Sequence, residues 1–318
     1  MVPLLSPEAS RIRRSCQRRL WRGGRQGLDG VISHPGMSLT FHTLHSSAQL
    51  QIQRIACRPE TRACSAEEYA PANILVFPLR GVFMKHHACG GEVLVACGSA
   101  LFFNAGEPYR ISHPTGCGDD CLVLEVPEGP PDFRRMHASI DSRTLLHARS
   151  LWTLLQWERD DLEIETTAFE LFGNVVDRAH VAEPAPRDRR AAGRRREQVH
   201  AAAVALAAAP ERRWTLPQLA RYVHSSQFHL ARAFREQMGE SVHRYLLRAR
   251  LASALEVVMD SDTPLTDIAT QLNFATPSHF AAAFRNAYRV TPSAVREAAR
   301  GRRSKLRTIL TAQSPRTS

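Results

Sequence analysis

The chain has 318 residues, 43% of them hydrophobic, and a formal net charge of +11 from 42 Lys and Arg against 31 Asp and Glu. That length suggests two domains, each with enough apolar residues for a core, and the positive balance favours an anionic partner. No apolar run approaches the ~18 residues that a membrane helix needs, and seven cysteines without framework spacing point to reduced thiols in a cytoplasm rather than a disulfide scaffold.

Residues 1–36 are rich in Arg, Gly and Ser and show no periodicity. They are expected to be a basic disordered tail that need not belong to the native protein, with Met37 opening the first segment that looks folded. The arginines are not followed by an apolar stretch, so no secretory signal is expected.

Residues 37–140 are expected to form a β-domain. AQLQIQRI, ANILVFPLRGVFM, GEVLVACGSALFF, PYRISH and DCLVLEVP are short runs rich in β-branched, aromatic and leucine residues. Gly, Pro, Asn and Asp punctuate them, as in a sandwich or barrel, and a barrel of this size can hold one small ligand.

The period then changes. Over 141–181, Leu151, Leu154 and Leu155 make one helical stripe, and Leu162, Phe169, Phe172 and Val176 make a second. Either the stripes cover the barrel or they form a self-association surface. Residues 182–196, with Pro184, Pro186 and many arginines, are expected to be a solvated linker.

From 197 to 300 the chain is expected to be helical, with a basic tail over 301–318. Gln198–Ala209 is an alanine-rich helix stopped by Pro210. Thr215, with Pro217 and Gln218 behind it, has the pattern of a capping box. The helix after it should end near Val223. His224 and Ser225 then turn, Ser226 caps a helix over Gln227–Met238, and Gly239 stops it. A long helix over about Val242–Met259 follows, with Tyr245, Leu246, Leu251, Leu255 and Val258 as its apolar stripe. Thr266 is expected to cap a helix over Asp267–Leu272, and Thr276 or Pro277 to open a last one reaching about Tyr288.

Two of these stretches echo each other. LARYVHSSQFHLARAFREQMGESV (219–242) is matched by IATQLNFATPSHFAAAFRNAYRVTP (268–292), a period of about 50 residues. Ala220 recurs as Ala269, Val223 as Leu272, Leu230 as Phe280 and Phe234 as Phe284. Each unit reads as a short helix, a polar turn and a longer helix, the grammar of a helix-turn-helix whose second helix enters a DNA major groove. The outward face of the first such helix offers Ser226, Gln227, Phe228, Ala231, Arg232 and Arg235. The second offers Thr276, Ser278, His279, Ala281, Ala282 and Arg285. Arg232 suits bidentate contact to guanine, whereas the second face is short and nearly donor-free.

The order and spacing of Ala220 to Phe234, Arg250 to Ala254, Ile268 to Phe284 and Val290 to Ser293 resemble the AraC/XylS family of transcription regulators. The resemblance covers roughly 200–298 and implies two helix-turn-helix subdomains joined by a helix and set into successive major grooves of a double-stranded DNA operator. It also implies RNA polymerase as a partner; activator is the role expected, with repressor left open. The family has glycine where this chain has His224, Asn273 and Arg289, and glycine suits a left-handed turn. Residues 81–126 are similar to the cupin-type barrel that many members carry as a sensor. The implied fold is therefore multidomain: an N-terminal mainly-β cupin-like barrel with a helical extension, then an all-α double helix-turn-helix domain. An unidentified small-molecule effector and a homodimer are the further partners implied.

His86, His87, Cys89, Glu92 and His113 could suggest a metal cluster, but the H-x-H pairing of cupins is absent, and neighbours on a strand point to opposite faces. Cys117 and Cys121 are read as reduced cysteines of a turn. No metal, cofactor or catalytic residue is expected, and the chain is read as a regulator rather than an enzyme. The alternatives are a cupin-type metal-dependent oxygenase fused to a DNA-binding module, or a protein that coats nucleic acid without sequence preference.

Overall fold

The computed structural model describes residues 30–34, 36–87, 91–126, 133–157, 160–179 and 190–300. These fall into two units, one drawn from positions within 1–95, 99–138 and 175–182, the other from positions within 96–98, 139–174 and 183–318.

The first unit is built on eleven described strands. They are β1 (Gly30–His34), β2 (Met37–Ser46), β3 (Gln51–Pro59), β4 (Glu68–Tyr69), β5 (Ile74–Arg80), β6 (Val82–His87), β7 (Glu92–Ala96), β8 (Ser99–Phe103), β9 (Pro108–Ser112), β10 (Asp119–Glu125) and β11 (His137–Ser139). Seven make one sheet in the order β1-β2-β3-β10-β5-β8-β11, and four make another in the order β4-β9-β6-β7. Each of the five quoted apolar runs contains strand residues. Ile74, Val76, Leu101, Phe103, Cys121 and Val123 from the larger sheet and Phe83, Val93 and Val95 from the smaller one share a single buried core.

Strand β1 overturns part of the expected tail. Residues 1–29 lie outside the described residues, but Gly30–His34 pairs antiparallel with β2, from Gly30 opposite Phe41 to His34 opposite Met37. The local signal was present: Val31 and Ile32 are β-branched, and Pro35-Gly36 is a turn dipeptide, with Gly36 at φ +91.

Nine described helices follow: α1 (Ser142–Trp157), α2 (Asp161–Ala179), α3 (Arg190–Ala208), α4 (Leu216–Tyr222), α5 (Gln227–Met238), α6 (Val242–Asp260), α7 (Leu265–Gln271), α8 (Pro277–Tyr288) and α9 (Pro292–Arg300). Helix α1 groups with the C-terminal helices. The buried Arg149 on α1 reaches Glu256 on α6 at 2.9 Å, with Asp260 at 3.9 Å.

Two expectations shift by a helical face or a turn. On α2 the buried stripe is Ile164, Ala168, Leu171 and Val175, while Leu162 is 76% and Phe169 36% exposed. Phe172 and Val176 are half-buried. The buried and expected stripes have similar spacing, so periodicity alone could not choose between adjacent faces. The expected linker 182–196 is helical from Arg190 onward, because Ala191, Ala192 and the arginines are good helix formers once past the prolines. Residues 182–189 and the tail 301–318 lie outside the described residues.

Candidate nucleic-acid interface

The C-terminal helices are positioned by local chemistry that repeats. Thr215 opens α4 with a complete capping box: its hydroxyl accepts from the Gln218 amide, and the Gln218 side chain accepts from the Thr215 amide. Ser226 caps α5 by accepting from the His229 amide at 3.2 Å, and Thr276 caps α8 by accepting from the His279 amide at 3.0 Å. Helix α7 differs from the expected start. It begins at Leu265 behind Pro264, without a side-chain cap, so Thr266 lies inside its first turn. Proline at that place lacks an amide that would need a partner.

The two turns are copies at the level of the backbone. The Ser225 amide donates to the Ala220 carbonyl at 2.9 Å, and the Phe274 amide to the Ala269 carbonyl at 2.9 Å. Each turn passes through a left-handed residue, His224 at φ 52 and Asn273 at φ 60. Arg289, at φ 59, ends α8 as Gly239, at φ 72, ends α5. Thus the three positions at which glycine was missed are the three described non-glycine residues with positive φ.

Each motif has its own core. Leu219, Ala220, Val223, Leu230, Ala233 and Phe234 are buried in the first, where the Phe234 ring meets Tyr245 edge-on at 5.4 Å. The second buries Ile268, Ala269, Leu272, Phe274, Phe280, Phe284 and Tyr288. There Phe274–Phe280, Phe280–Phe284 and Phe284–Tyr288 form a ladder with centroids 5.2, 5.7 and 4.5 Å apart. The equivalences Leu230 to Phe280 and Phe234 to Phe284 hold in burial.

Burying those residues leaves one polar face on each long helix. Ser226, Gln227, Phe228, Arg232 and Arg235 are exposed around α5, with Ala231 half-buried between them. Thr276, Ser278, His279, Ala281, Ala282 and Arg285 are exposed around α8. Phe228 is 81% exposed, a large loss of apolar burial for an unpartnered surface. Tyr222, 59% exposed, stands edge-on to Trp214 at 6.2 Å. The His279 ring leans on Phe274, with centroids 5.8 Å apart.

Two features escaped the sequence. The Arg232 Nε donates to Glu236 Oε1 at 2.8 Å, an exposed pair one turn apart. This hydrogen bond raises the arginine pKa and holds the Glu236 carboxyl below its ordinary value. A Glu four residues after an Arg was a readable signal. The second feature is Arg250 on α6. Its guanidinium donates to the carbonyls of Pro210 at 2.8 Å, Asn273 at 3.1 Å and Arg212 at 3.1 Å. It ties the segment before α4 to the turn between α7 and α8. The spacing Arg250 to Ala254 marked the residue, but its three acceptors come from segments distant in sequence.

Comparison with known proteins fits this geometry. Residues 219–298 match the family model described as a helix-turn-helix domain. An HTH-type transcriptional regulator of Haemophilus influenzae is 29% identical over 101 residues, 32% of this chain and 34% of the relative. The regulatory protein PocR of Salmonella typhimurium is 33% identical over 82 residues, 26% of this chain and 27% of the relative. The chain thus spans about a third of the length of the curated relatives it matches. Among solved structures, an AraC-type regulator of Chromobacterium violaceum is similar at 24% identity and a TM-score of 0.32, covering 33% of this chain and 93% of that one. ToxT of Vibrio cholerae is similar at 11% identity and a TM-score of 0.32, covering 77% of this chain and 97% of that one. Two copies of one helix-turn-helix core, each with an exposed long helix, together with the matched family model, identify residues 219–298 as a helix-turn-helix domain.

Proposed function

We propose that the whole chain is a sequence-specific transcription regulator that binds an operator through α5 and α8 and answers to a small effector in its β-unit. The observation that supports it best is the doubled motif. Two capped helices with buried inner faces leave Gln227, Phe228, Arg232 and Arg235 on one helix and Ser278, Ala281, Ala282 and Arg285 on the other exposed together. In this reading α5 makes most base-specific hydrogen bonds, and α8 reads its half through methyl contacts and DNA shape, with Arg285 on phosphate. Ser226 and Thr276 act mainly as caps, since their hydroxyls are already engaged by helix amides.

The effector would occupy the cavity between the sheets, of about 130 Å³, lined by Leu39, Phe41, Ile55, Phe83, Phe103 and Tyr109 among others. A homodimer through the exposed Leu162 and Phe169 of α2, and contact with RNA polymerase, complete the reading. The cupin-type oxygenase alternative draws no support from the relatives, which are named as regulators. No described helix is long and apolar enough to cross a membrane.

The test is binding of the full chain to labelled duplex DNA across a salt series. The reading predicts that log affinity falls linearly with log salt because phosphate contacts release counterions. It also predicts that Arg232→Ala and Arg285→Ala both reduce affinity. Affinity that ignores salt, or that survives the double substitution, would overturn it.

A further inference from the structure

The β-unit gathers a second set of chemistry far from the DNA-reading helices in sequence. Cys57 lies on β3 and Asp119 on β10, and the two are direct partners across the antiparallel pair. The connection from β9 in one sheet to β10 in the other turns through His113, whose carbonyl accepts from the Gly116 amide at 2.9 Å. That turn sets His113 Nε2 at 2.5 Å from Asp119 Oδ2. One donor atom each from Cys57, His113 and Asp119 falls within 4.8 Å of the others, and this is the group of such donors among the described residues. The residues are 3%, 2% and 5% exposed, so water does not serve them freely.

Two softer donors stand beside the three. Cys121, two residues along the same strand and thus on the same face as Asp119, has its Sγ 3.3 Å from Asp119 Oδ1. Met37 Sδ is 3.8 Å from Cys57 Sγ. The backbone holds this corner closely. A side chain at Gly118 would strike the Cys57 carbonyl, and one at Gly81 would strike Gly118 and Asp119. The cluster also faces the cavity, whose lining includes Met37, Cys57, Asp119 and Cys121 together with Glu68 and carries no lysine or arginine. A buried wall with two carboxylates and two thiols and no lining cation is matched to a positive ion, and the cavity gives that ion a path inward.

We propose that Cys57, His113 and Asp119 bind a zinc-class divalent ion, with Cys121 completing a tetrahedral set. Thiolate, imidazole and carboxylate are the three ligand types zinc takes, and the sulfur atoms select against magnesium and calcium. On binding, the Cys57 thiol gives its proton to solvent, and the His113–Asp119 contact opens to admit the ion. The cluster that the sequence suggested and its spacing argued against, His86, His87, Cys89, Glu92 and His113, is not the group that the described residues bring together. His86 bonds Ser112 Oγ at 2.8 Å, His87 lies 3.7 Å from Glu107, and Cys89 is outside the described residues. The proposal does not rest on the DNA-binding reading, and neither result below bears on it.

The test is titration of the full chain, kept reduced and stripped with a chelator, with Co(II) followed by displacement with Zn(II). The expected result is one equivalent of Co(II) with the visible bands of a tetrahedral site and a sulfur-to-cobalt charge-transfer band. The exposed cysteines Cys64 and Cys117 serve as a control, so C64S/C117S should keep both signals. Cys57→Ser should lose the charge-transfer band. His113→Gln should weaken binding by more than the roughly 10–100-fold that loss of an outer-shell partner costs. Circular dichroism of each variant reports its folding. If Cys57→Ser fails to fold, the wild-type stoichiometry and the C64S/C117S arm still decide. No saturation at one equivalent in the wild type, or a sulfur band lost in C64S/C117S, would show that the cluster is a buried His–Asp pair among inert thiols.

Discussion

Replacing Arg289 with glycine should stabilise the helical unit, because Arg289 holds a backbone shape that its side chain opposes. It closes α8 at φ 59 and ψ 16, and its amide donates to the Arg285 carbonyl at 2.8 Å. A left-handed L-residue costs roughly 1–2 kcal/mol. Glycine removes that cost but widens the unfolded ensemble, which returns roughly 0.5–1 kcal/mol. The balance is a gain of about 0.5–1 kcal/mol, or about 1–4 °C in Tm for a unit of roughly 150–175 residues. His224→Gly at φ 52 should gain less, since histidine visits the left-handed region more readily. Asn273→Gly should gain nothing, because asparagine tolerates that region and its Nδ2 donates to the Glu211 carbonyl at 3.4 Å. Differential scanning calorimetry of the full chain, following the transition of the helical unit, reads the series. A lower Tm for Arg289→Gly, or the largest gain for Asn273→Gly, would show that the αL cost does not govern these positions.

Other substitutions probe the cores and the face. Phe234 and Phe284 are both 0% exposed, so Phe234→Ala or Phe284→Ala should each cost about 3–5 kcal/mol in denaturant unfolding, and parental midpoints would break the repeat equivalence. Arg232→Ala should cost about 1–3 kcal/mol and relax preference at one or two base pairs, whereas Arg285→Ala should weaken all sequences alike and flatten the salt slope. Binding measurements on operators with single base changes separate the two. His147 is buried on α1, and burial lowers its pKa from the ordinary value of 6.5 to about 4. The unfolded chain therefore takes up a proton that the folded chain refuses between those values. Stability from this group is complete above pH 6.5 and falls below it by up to about 1.4 kcal/mol per pH unit, opposed by the Glu170 carboxylate at 3.7 Å. Urea unfolding from pH 7 to pH 4.5 should show a shallower decline for His147→Leu, and identical slopes would sink the assignment.

The C-terminal domain was legible because its signals are local. Caps at Thr215, Ser226 and Thr276 and the stop at Gly239 are each set by a residue and its near neighbours. Even the departures from glycine pointed correctly to positive φ at His224, Asn273 and Arg289. What failed depends on more distant partners. β1 needs β2 to be a strand, the buried face of α2 is chosen by what packs on it, and the grouping of α1 with the C-terminal helices rests on partners such as Glu256 of α6 for Arg149. Cys57, His113 and Asp119 are brought together by β3 pairing with β10 across 62 positions, which no spacing rule reveals. The exposed residues of α5 and α8 were legible by elimination once the core positions were fixed, but Glu236 beside Arg232 and the three carbonyls held by Arg250 were not.

Selection of bound duplexes from a fully randomised pool by the full-length chain tests the two-motif reading most directly. Two helix-turn-helix motifs in one chain, with unlike outer faces, predict an enriched site of two parts about one helical turn apart, roughly 10 base pairs. The part read by α5 should carry the higher information content, and the selected site should bind at least about 10³-fold more tightly than unrelated DNA at the same salt. A pool that stays random while the protein still binds it, or two parts of equal information content, would contradict the reading.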